Sequence, residues 1–143
     1  MTVYNKSNGI FTLLNSHDMI QGLRTVIYHV SNLEKARAWY IAVLGKKPYF
    51  DESFYVGFNV GGFELGLQPD VRGVSWGTNL VAYWGVPDAR KAYSELLMKG
   101  GIQHHKIEDV GGGILLGTVI DPCGNVFGVI ENPYYRNEEG VEK

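Results

Sequence analysis

Apolar and polar positions alternate along this chain in two successive rounds of the same pattern. Residues 23–30 alternate as a strand does, and residues 32–44 carry apolar side chains at helical spacing. Short strand-like stretches then continue to residue 69, and residues 79–133 repeat the whole order. Each half is therefore predicted to be a βαβββ module, with one strand, one helix and three further strands.

Residues of the first half have matching residues in the second half, and the sequence separation between matched residues increases along the chain. Ala36 in the first half matches Ala92 in the second, and Phe63 matches Phe127 at a somewhat wider spacing. We interpret each increase as a short insertion in a loop, where extra residues are tolerated. The pattern favours an internal duplication of one module.

The ends of the predicted helices and turns carry the expected residue types. Asn32 and Asp88 precede the helical stripes, and their side chains are good acceptors for the first free backbone amides of a helix. Gly45 and the glycine pair at residues 100–101 stand where a left-handed residue ends a helix. Tight turns are predicted at three glycine-containing segments, which are residues 61–62, 111–113 and 121–125.

Composition excludes several classes of protein. The 143 residues are 45% hydrophobic and 20% charged, with a net charge of −2 and no cluster of Lys and Arg, so we expect no nucleic acid partner. No apolar run is long enough for a membrane helix, and the N-terminus has no signal-peptide pattern. The single cysteine, Cys123, lies in a predicted turn and has no partner for an internal disulfide. We therefore expect a cytoplasmic protein that does not associate with membranes.

The duplicated pattern and the closing segment DPCGNVFGVIE at residues 121–131 resemble the vicinal oxygen chelate superfamily, which includes glyoxalases, bleomycin resistance proteins and extradiol dioxygenases. The resemblance implies an α+β fold. Two tandem βαβββ modules would form a curled eight-stranded mixed sheet around a cleft, with the helices outside. We divide the chain accordingly into an N-terminal extension (residues 1–21), a single glyoxalase-like domain (22–135, with modules at about 23–69 and 79–133) and a flexible tail (136–143).

The same resemblance points to four positions that hold a metal ion in metal-using members, one on each of four strands. Carried over by the motif spacing, they are Thr25, Glu64, Val81 and Gly128. Only Glu64 offers a strong ligand, whereas a catalytic divalent ion normally has three or more protein ligands. We therefore expect a degenerate metal site and no cofactor, with a divalent metal as the alternative.

Strand alternation predicts which side chains face the cleft. Glu64 would face an aromatic cleft, where desolvation would raise its pKa and allow general-base catalysis, so it is the candidate catalytic residue. The alternative is a polar contact between Glu64 and a base such as Arg24 or Arg72. The predicted ligand pocket contains Glu64 together with Thr25, Ile27, His29, Tyr55, Gln68, Trp76, Val81, Tyr83 and Gly128.

The adjacent residues His104 and His105 are predicted to begin a strand and to point to opposite faces of its sheet. We therefore do not expect them to bind one metal ion together.

Three functions stay open. The first, and the one we expect, is a metal-free protein that binds a small organic ligand, in the manner of bleomycin resistance proteins. The second is a divalent-metal-dependent lyase, isomerase or dioxygenase that uses Glu64. The third is an accessory domain without a ligand. We also expect a homodimer, because members of this superfamily commonly complete the cleft with a second subunit.

Overall fold

The structure is a computed structural model that describes the backbone of residues 2–7 and 10–15 and the complete residues 19–135. Strands β1 (Thr2–Ser7) and β2 (Ile10–Asn15) pair in antiparallel fashion ahead of the repeat. The flexible tail predicted at residues 136–143 lies outside the described residues.

Two tandem βαβββ modules follow, as the sequence predicts. In each module the first and last strands pair in parallel and the other neighbours pair antiparallel, which gives two four-stranded mixed sheets, ordered β3-β6-β5-β4 and β7-β10-β9-β8. The α+β class is confirmed. The elements of the first module are β3 (Thr25–His29), α1 (Leu33–Leu44), β4 (Phe50–Glu52), β5 (Tyr55–Val60) and β6 (Phe63–Gln68), and those of the second are β7 (Ala82–Gly85), α2 (Ala89–Met98), β8 (Ile102–Asp109), β9 (Leu115–Ile120) and β10 (Val126–Glu131).

Both helices begin at the predicted caps. The Asn32 side chain accepts a hydrogen bond from the backbone amide of Lys35 at 3.1 Å, and the Asp88 side chain accepts one from Lys91 at 3.0 Å. Gly45 ends α1 in the left-handed conformation, with φ of 68°. Among the described residues, no helix has the length and apolar character needed to cross a bilayer.

One hydrophobic core is shared by the two modules. Phe127 on β10 is only 2% exposed and lies at its centre. Its ring centroid is 5.8 Å from that of Trp39 and 6.0 Å from that of Tyr40 on α1, 6.3 Å from Tyr28 on β3 and 6.4 Å from Trp84 on β7. Separating the modules would expose these rings, so the two halves stabilise each other.

The segment at residues 121–125 ties the second module to the first. One carboxylate oxygen of Asp121 accepts hydrogen bonds from the backbone amides of Cys123 and Asn125, each at 2.8 Å. The other accepts the hydroxyl of Tyr40 at 2.8 Å. The side-chain amide of Asn125 donates to the backbone carbonyl of His29 at 2.8 Å. The most recognisable motif of the sequence therefore has a structural role.

The strand pairing corrects the alignment of the two halves. Val26 pairs with Leu65 in the first module, and Ala82 pairs with Phe127 in the second. All four lie on the core side of their sheets. Val26 and Ala82 each lie six residues before the N-cap of the helix that follows, so they are equivalent. Phe127 is therefore the counterpart of Leu65 in the last strands. The predicted match of Phe127 with Phe63 is wrong by one period of the strand alternation.

This correction changes one counterpart in the candidate site. In the corrected alignment Val126 is the counterpart of Glu64, and Gly128 is the counterpart of Gly66. Side chains alternate along a strand with a period of two, so a shift by one full period keeps every side chain on its predicted face. The alternation pattern therefore could not reveal the error.

Candidate functional site

We call the sheet faces turned away from the shared core the inner faces. On the first sheet, two tyrosine side chains lie across two glycines. A Cβ atom added at Gly66 would overlap the hydroxyl of Tyr55, and one at Gly57 would lie 3.0 Å from a ring carbon of Tyr49. Gly57 and Gly66 are paired neighbours on β5 and β6. The absence of side chains at these two positions is what lets the tyrosines approach the backbone.

The second sheet repeats this arrangement once. Tyr83 lies against Gly128, where an added Cβ would be 2.6 Å from a ring carbon of the tyrosine. Tyr83 is 40% exposed, and Ile27 on the first sheet is 49% exposed. Trp76, in the segment between the modules, is 51% exposed. A solute can therefore reach these predicted pocket residues.

Glu64 accepts hydrogen bonds from three hydroxyl groups. Its Oε1 atom accepts hydrogen bonds from Tyr55 at 2.9 Å and from Thr25 at 3.3 Å. Its Oε2 atom accepts the hydroxyl of Tyr49. Thr25 is brought to this position by the parallel pairing of β3 with β6, in which Thr25 lies beside Glu64. The donors therefore converge from β3, from β5 and from the segment before β4.

These hydrogen bonds lower the pKa of Glu64, so the predicted rise is wrong. The hydroxyl of Tyr49 is the largest cause, and Tyr55 and Thr25 act in the same direction, against a desolvation effect that is smaller than that of Tyr49. The carboxylate is only partly buried, and hydrogen bonds to a charged form favour that form. Desolvation and the bond to Glu64 raise the pKa of Tyr55 to about 12. At neutral pH the site therefore holds a carboxylate beside protonated phenols.

The basic partners proposed for Glu64 bind elsewhere. The guanidinium of Arg24 contacts the side-chain oxygen of Gln21 at 3.4 Å. Arg72 forms an ion pair with Asp70 at 2.7 Å. The prediction that one of these arginines pairs with Glu64 is therefore wrong, because both side chains are held by residues close to them in sequence.

Two inner-face residues at the strand ends contact the loop that follows β6. The ring Nδ1 of His29 lies 3.1 Å from the backbone carbonyl oxygen of Asp70. The side-chain oxygen of Gln68 accepts from the backbone amide of Asp70 at 3.0 Å. Both side chains thus help to order this loop. Val81, another residue predicted for the pocket, lies immediately before the first residue of β7.

Two depressions stand out on the described surface. The one at Glu64 has a volume of about 180 Å³ and is also lined by Tyr49, Asn59, Gly62 and Phe63. The larger one, of about 470 Å³, borders α1 and the end of α2, with Trp39, Lys35 and Lys99 among its lining residues. The larger depression contains none of the residues predicted for the ligand pocket.

The sequence matches no family model and no curated protein, but the fold has many relatives among solved structures. A glyoxalase-related enzyme from Fulvimarina pelagi superposes with a TM-score of 0.68 at 20% identity, over 82% of this chain and 92% of that one. Lactoylglutathione lyase from Agrobacterium tumefaciens gives 0.66 at 16% identity, over 80% and 96%. A glyoxalase/bleomycin resistance protein from Albidiferax ferrireducens T118 gives 0.64 at 17% identity, over 77% and 98%. The chain has the vicinal oxygen chelate fold.

The four positions that the sequence resemblance assigns to metal ligands change with the corrected register. With the corrected register they are Thr25, Glu64, Val81 and Val126. Only Glu64 carries a carboxylate, and both of its oxygens already accept hydrogen bonds from hydroxyl groups. Within residues 19–135, no three His, Cys, Asp or Glu side chains are grouped so that they could hold a metal ion. A catalytic divalent ion normally has three or more protein ligands, whereas these four positions offer one carboxylate.

The histidine pair on β8 differs from the prediction. The ring centroids of His104 and His105 are 4.2 Å apart, so the rings do not point to opposite faces. A register shift between Gln103 and His105 interrupts the alternation at this point. The hydroxyl of Thr118 lies 2.9 Å from Nδ1 of His104 and accepts from the backbone amide of His105 at 3.2 Å. The pair therefore helps to hold the edge strand β8 against β9.

Tyr49 is the hydrogen-bond partner of Glu64 that lies outside the predicted pocket residues and that sequence reasoning missed. It lies outside the strands, between α1 and β4, and its backbone amide donates to the carbonyl of Gly57 on β5 at 2.9 Å. The available signal was the pair Gly57 and Gly66 at inner-face positions of two strands. A glycine inside a strand often marks the close approach of another group.

Proposed function

We propose that this protein binds a small organic molecule at the inner faces of its sheets without a resident metal ion. The observation that carries the proposal is the state of Glu64, whose two oxygens are held by Thr25, Tyr49 and Tyr55. The other family metal positions supply at most a neutral hydroxyl. An inner face with this chemistry suits polar and aromatic contacts to an organic ligand better than metal chemistry.

The tyrosines support this proposal because they present flat surfaces. Tyr55 and Tyr83 lie close over glycines, so each ring is placed by the backbone beneath it. Aromatic rings in such positions bind planar or apolar groups through large contact areas and their hydroxyls add polarity. Because the side chains of Ile27 and Tyr83 are exposed, a ligand can bind against them.

The site in one chain is small, and we propose that a homodimer completes it. The depression at Glu64 measures about 180 Å³. Sites for drug-sized ligands usually measure roughly 300 to 1,000 Å³. A second copy placed over the exposed inner face would enlarge the enclosed volume. We propose the cytoplasm as the compartment, since the single cysteine suits a reducing environment.

The alternative is a metal-dependent lyase, isomerase or dioxygenase, and it has less support. It needs ligands beyond Glu64, and the lowered pKa of that carboxyl makes it a weaker base than the sequence suggested. The reaction named for the Agrobacterium tumefaciens structure belongs to that protein.

Metal content and metal-dependent stability test the proposal. We expect untagged protein to contain less than about a tenth of an equivalent of any divalent ion by plasma mass spectrometry, with no thermal shift under zinc, nickel, manganese or iron(II). Glu64→Gln is the matched control, since it removes the one strong ligand at similar size. A near-stoichiometric ion that stabilises the wild type but not Glu64→Gln would contradict the proposal and favour the enzyme.

A further inference from the structure

Glu64 has one unused acceptor position. A carboxylate offers about four lone-pair positions, two on each oxygen. On Oε1 both are occupied, by the hydroxyls of Thr25 and Tyr55, and on Oε2 one is occupied, by Tyr49. The second position on Oε2 can accept one more donor. The depression of about 180 Å³ is lined by both Glu64 and Tyr49, the two residues that meet at this oxygen.

Among the described residues, no cationic side chain is bonded to the negative charge of Glu64. Its three partners are neutral hydroxyls, which favour the carboxylate without neutralising it. Lys46, whose ammonium could compete, donates to the backbone carbonyl of Asn59 at 2.8 Å. The ion pairs found among the described residues do not involve Glu64. They join Arg37 to Asp51 and Arg72 to Asp70.

Two tyrosine rings border this charge, and a phenylalanine ring lies next to one of them. Phe50 pairs with Gly57, so it belongs to the same inner face, and its ring centroid lies 6.1 Å from that of Tyr55. The ring of Tyr49 lies across Gly57 at the edge of the depression. The faces of aromatic rings attract cations, and they do so most strongly where water is partly excluded. A carboxylate with a free acceptor position among such rings is suited to an organic cation.

We propose that the ligand carries a protonated amine, which donates a hydrogen bond to Oε2 of Glu64 while the ring of Tyr49 contacts the ammonium group. This inference rests on the proposed function, because it names the chemical class of the small molecule bound at the inner face. It assigns to Glu64 the role of counter-ion for a cationic ligand, in place of metal ligation.

Three probes with one common ring test the charge preference. Benzylamine is cationic at neutral pH, benzyl alcohol is neutral and benzoate is anionic. Their dissociation constants can be measured by following backbone amide NMR signals during titration. Both probes would donate to the carboxylate, but only the ammonium adds attraction between opposite charges, so we expect benzylamine to bind about tenfold more tightly than benzyl alcohol. Benzoate should bind most weakly.

Two variants separate the role of Glu64 from the general charge of the protein. In Glu64→Gln the preference for benzylamine over benzyl alcohol should fall to less than about twofold. Glu95→Gln removes the same charge from an exposed position on helix α2, in the other module, and should keep the tenfold preference. Should Glu64→Gln fail to fold, Tyr49→Phe tests the same point. It leaves the total charge unchanged and frees a second acceptor position on Oε2, so the preference should grow, whereas a preference set by the general charge of the protein would not change.

The outcomes distinguish this inference from the proposed function. Equal binding of amine and alcohol, tighter binding of benzoate, or a preference that survives in Glu64→Gln would overturn the cationic ligand while leaving a small-molecule site. A preference that does not grow in Tyr49→Phe would also overturn it. If no probe binds more tightly than about 10 mM, both the inference and the proposed function fail.

Discussion

The buried hydroxyl of Tyr40 offers a direct test of how the two modules are joined. It donates to the carboxylate of Asp121 at 2.8 Å and so connects helix α1 to the turn before β10. Replacing Tyr40 by Phe removes this oxygen alone. The ring keeps its neighbours Tyr28, Trp39 and Phe127, so little packing is lost.

The expected cost follows from the acceptor. A hydrogen bond to a charged group contributes roughly 1.5–3 kcal/mol. Asp121 is only 2% exposed, so water does not replace the lost donor. In the variant, Asp121 still accepts hydrogen bonds from two backbone amides at 2.8 Å and from the side-chain amide of Asn125 at 3.1 Å. We therefore expect Tyr40→Phe to lower the free energy of unfolding by about 2 kcal/mol.

Tyr93→Phe is the matched control. The hydroxyl of Tyr93 is also buried, but it donates to the neutral backbone carbonyl of Thr118 at 3.1 Å. Its loss should cost about 1 kcal/mol. Equilibrium unfolding in urea measures both values, with the same dependence on denaturant expected for both variants and the wild type. If Tyr40→Phe costs no more than Tyr93→Phe, the role assigned to Asp121 in joining the modules is wrong.

Two further predictions concern the site. Tyr49→Phe should raise the pKa of Glu64, measured by ¹³C NMR titration of its carboxyl, because it removes the largest cause of the lowered value. Because the pKa of Glu64 is lower in the folded state than in the unfolded state, its ionisation stabilises the fold at pH values above the unfolded-state pKa. This contribution is lost as the pH falls through the folded-state pKa. The difference in unfolding free energy between wild type and variant should therefore shrink in that acidic range. Gly66→Ala places a methyl group where the Tyr55 hydroxyl lies and should cost about 1–3 kcal/mol in urea unfolding. Gly85→Ala meets open space and should change stability by less than about 0.5 kcal/mol.

Each of these predictions has a clear contrary result. An unchanged Glu64 pKa in Tyr49→Phe would mean that the phenol does not donate to the carboxylate in solution. A Gly66→Ala variant as stable as Gly85→Ala would mean that the Tyr55 ring does not lie across the glycine.

The elements of the fold could be predicted because local chemistry specifies them. Asn32 and Asp88 cap their helices through bonds to amides close by in sequence, and Gly45 ends α1 through its own backbone freedom. The alternation of apolar residues likewise depends on neighbours along the chain. These features require no knowledge of distant contacts, so the two modules could be read from the residue pattern.

The register between modules was harder to predict. The sequence suggested Phe63 as the counterpart of Phe127, whereas the hydrogen-bonded pairs make Leu65 its counterpart. Strand periodicity does not distinguish alignments that differ by one full period, and only the pairing of β7 with β10 does. Val126 thereby replaced Gly128 as the counterpart of Glu64.

The sequence by itself determined the duplicated βαβββ architecture, the helix caps, the glycine turns and the inner-face position of Glu64. The tertiary structure alone decided how Glu64 is held, since Thr25, Tyr49 and Tyr55 reach it from three separate segments. It also placed Phe127 among rings from both modules. Such contacts depend on strand pairing and packing between residues far apart in the chain, and a carboxyl's pKa follows from those contacts and not from its neighbours in sequence.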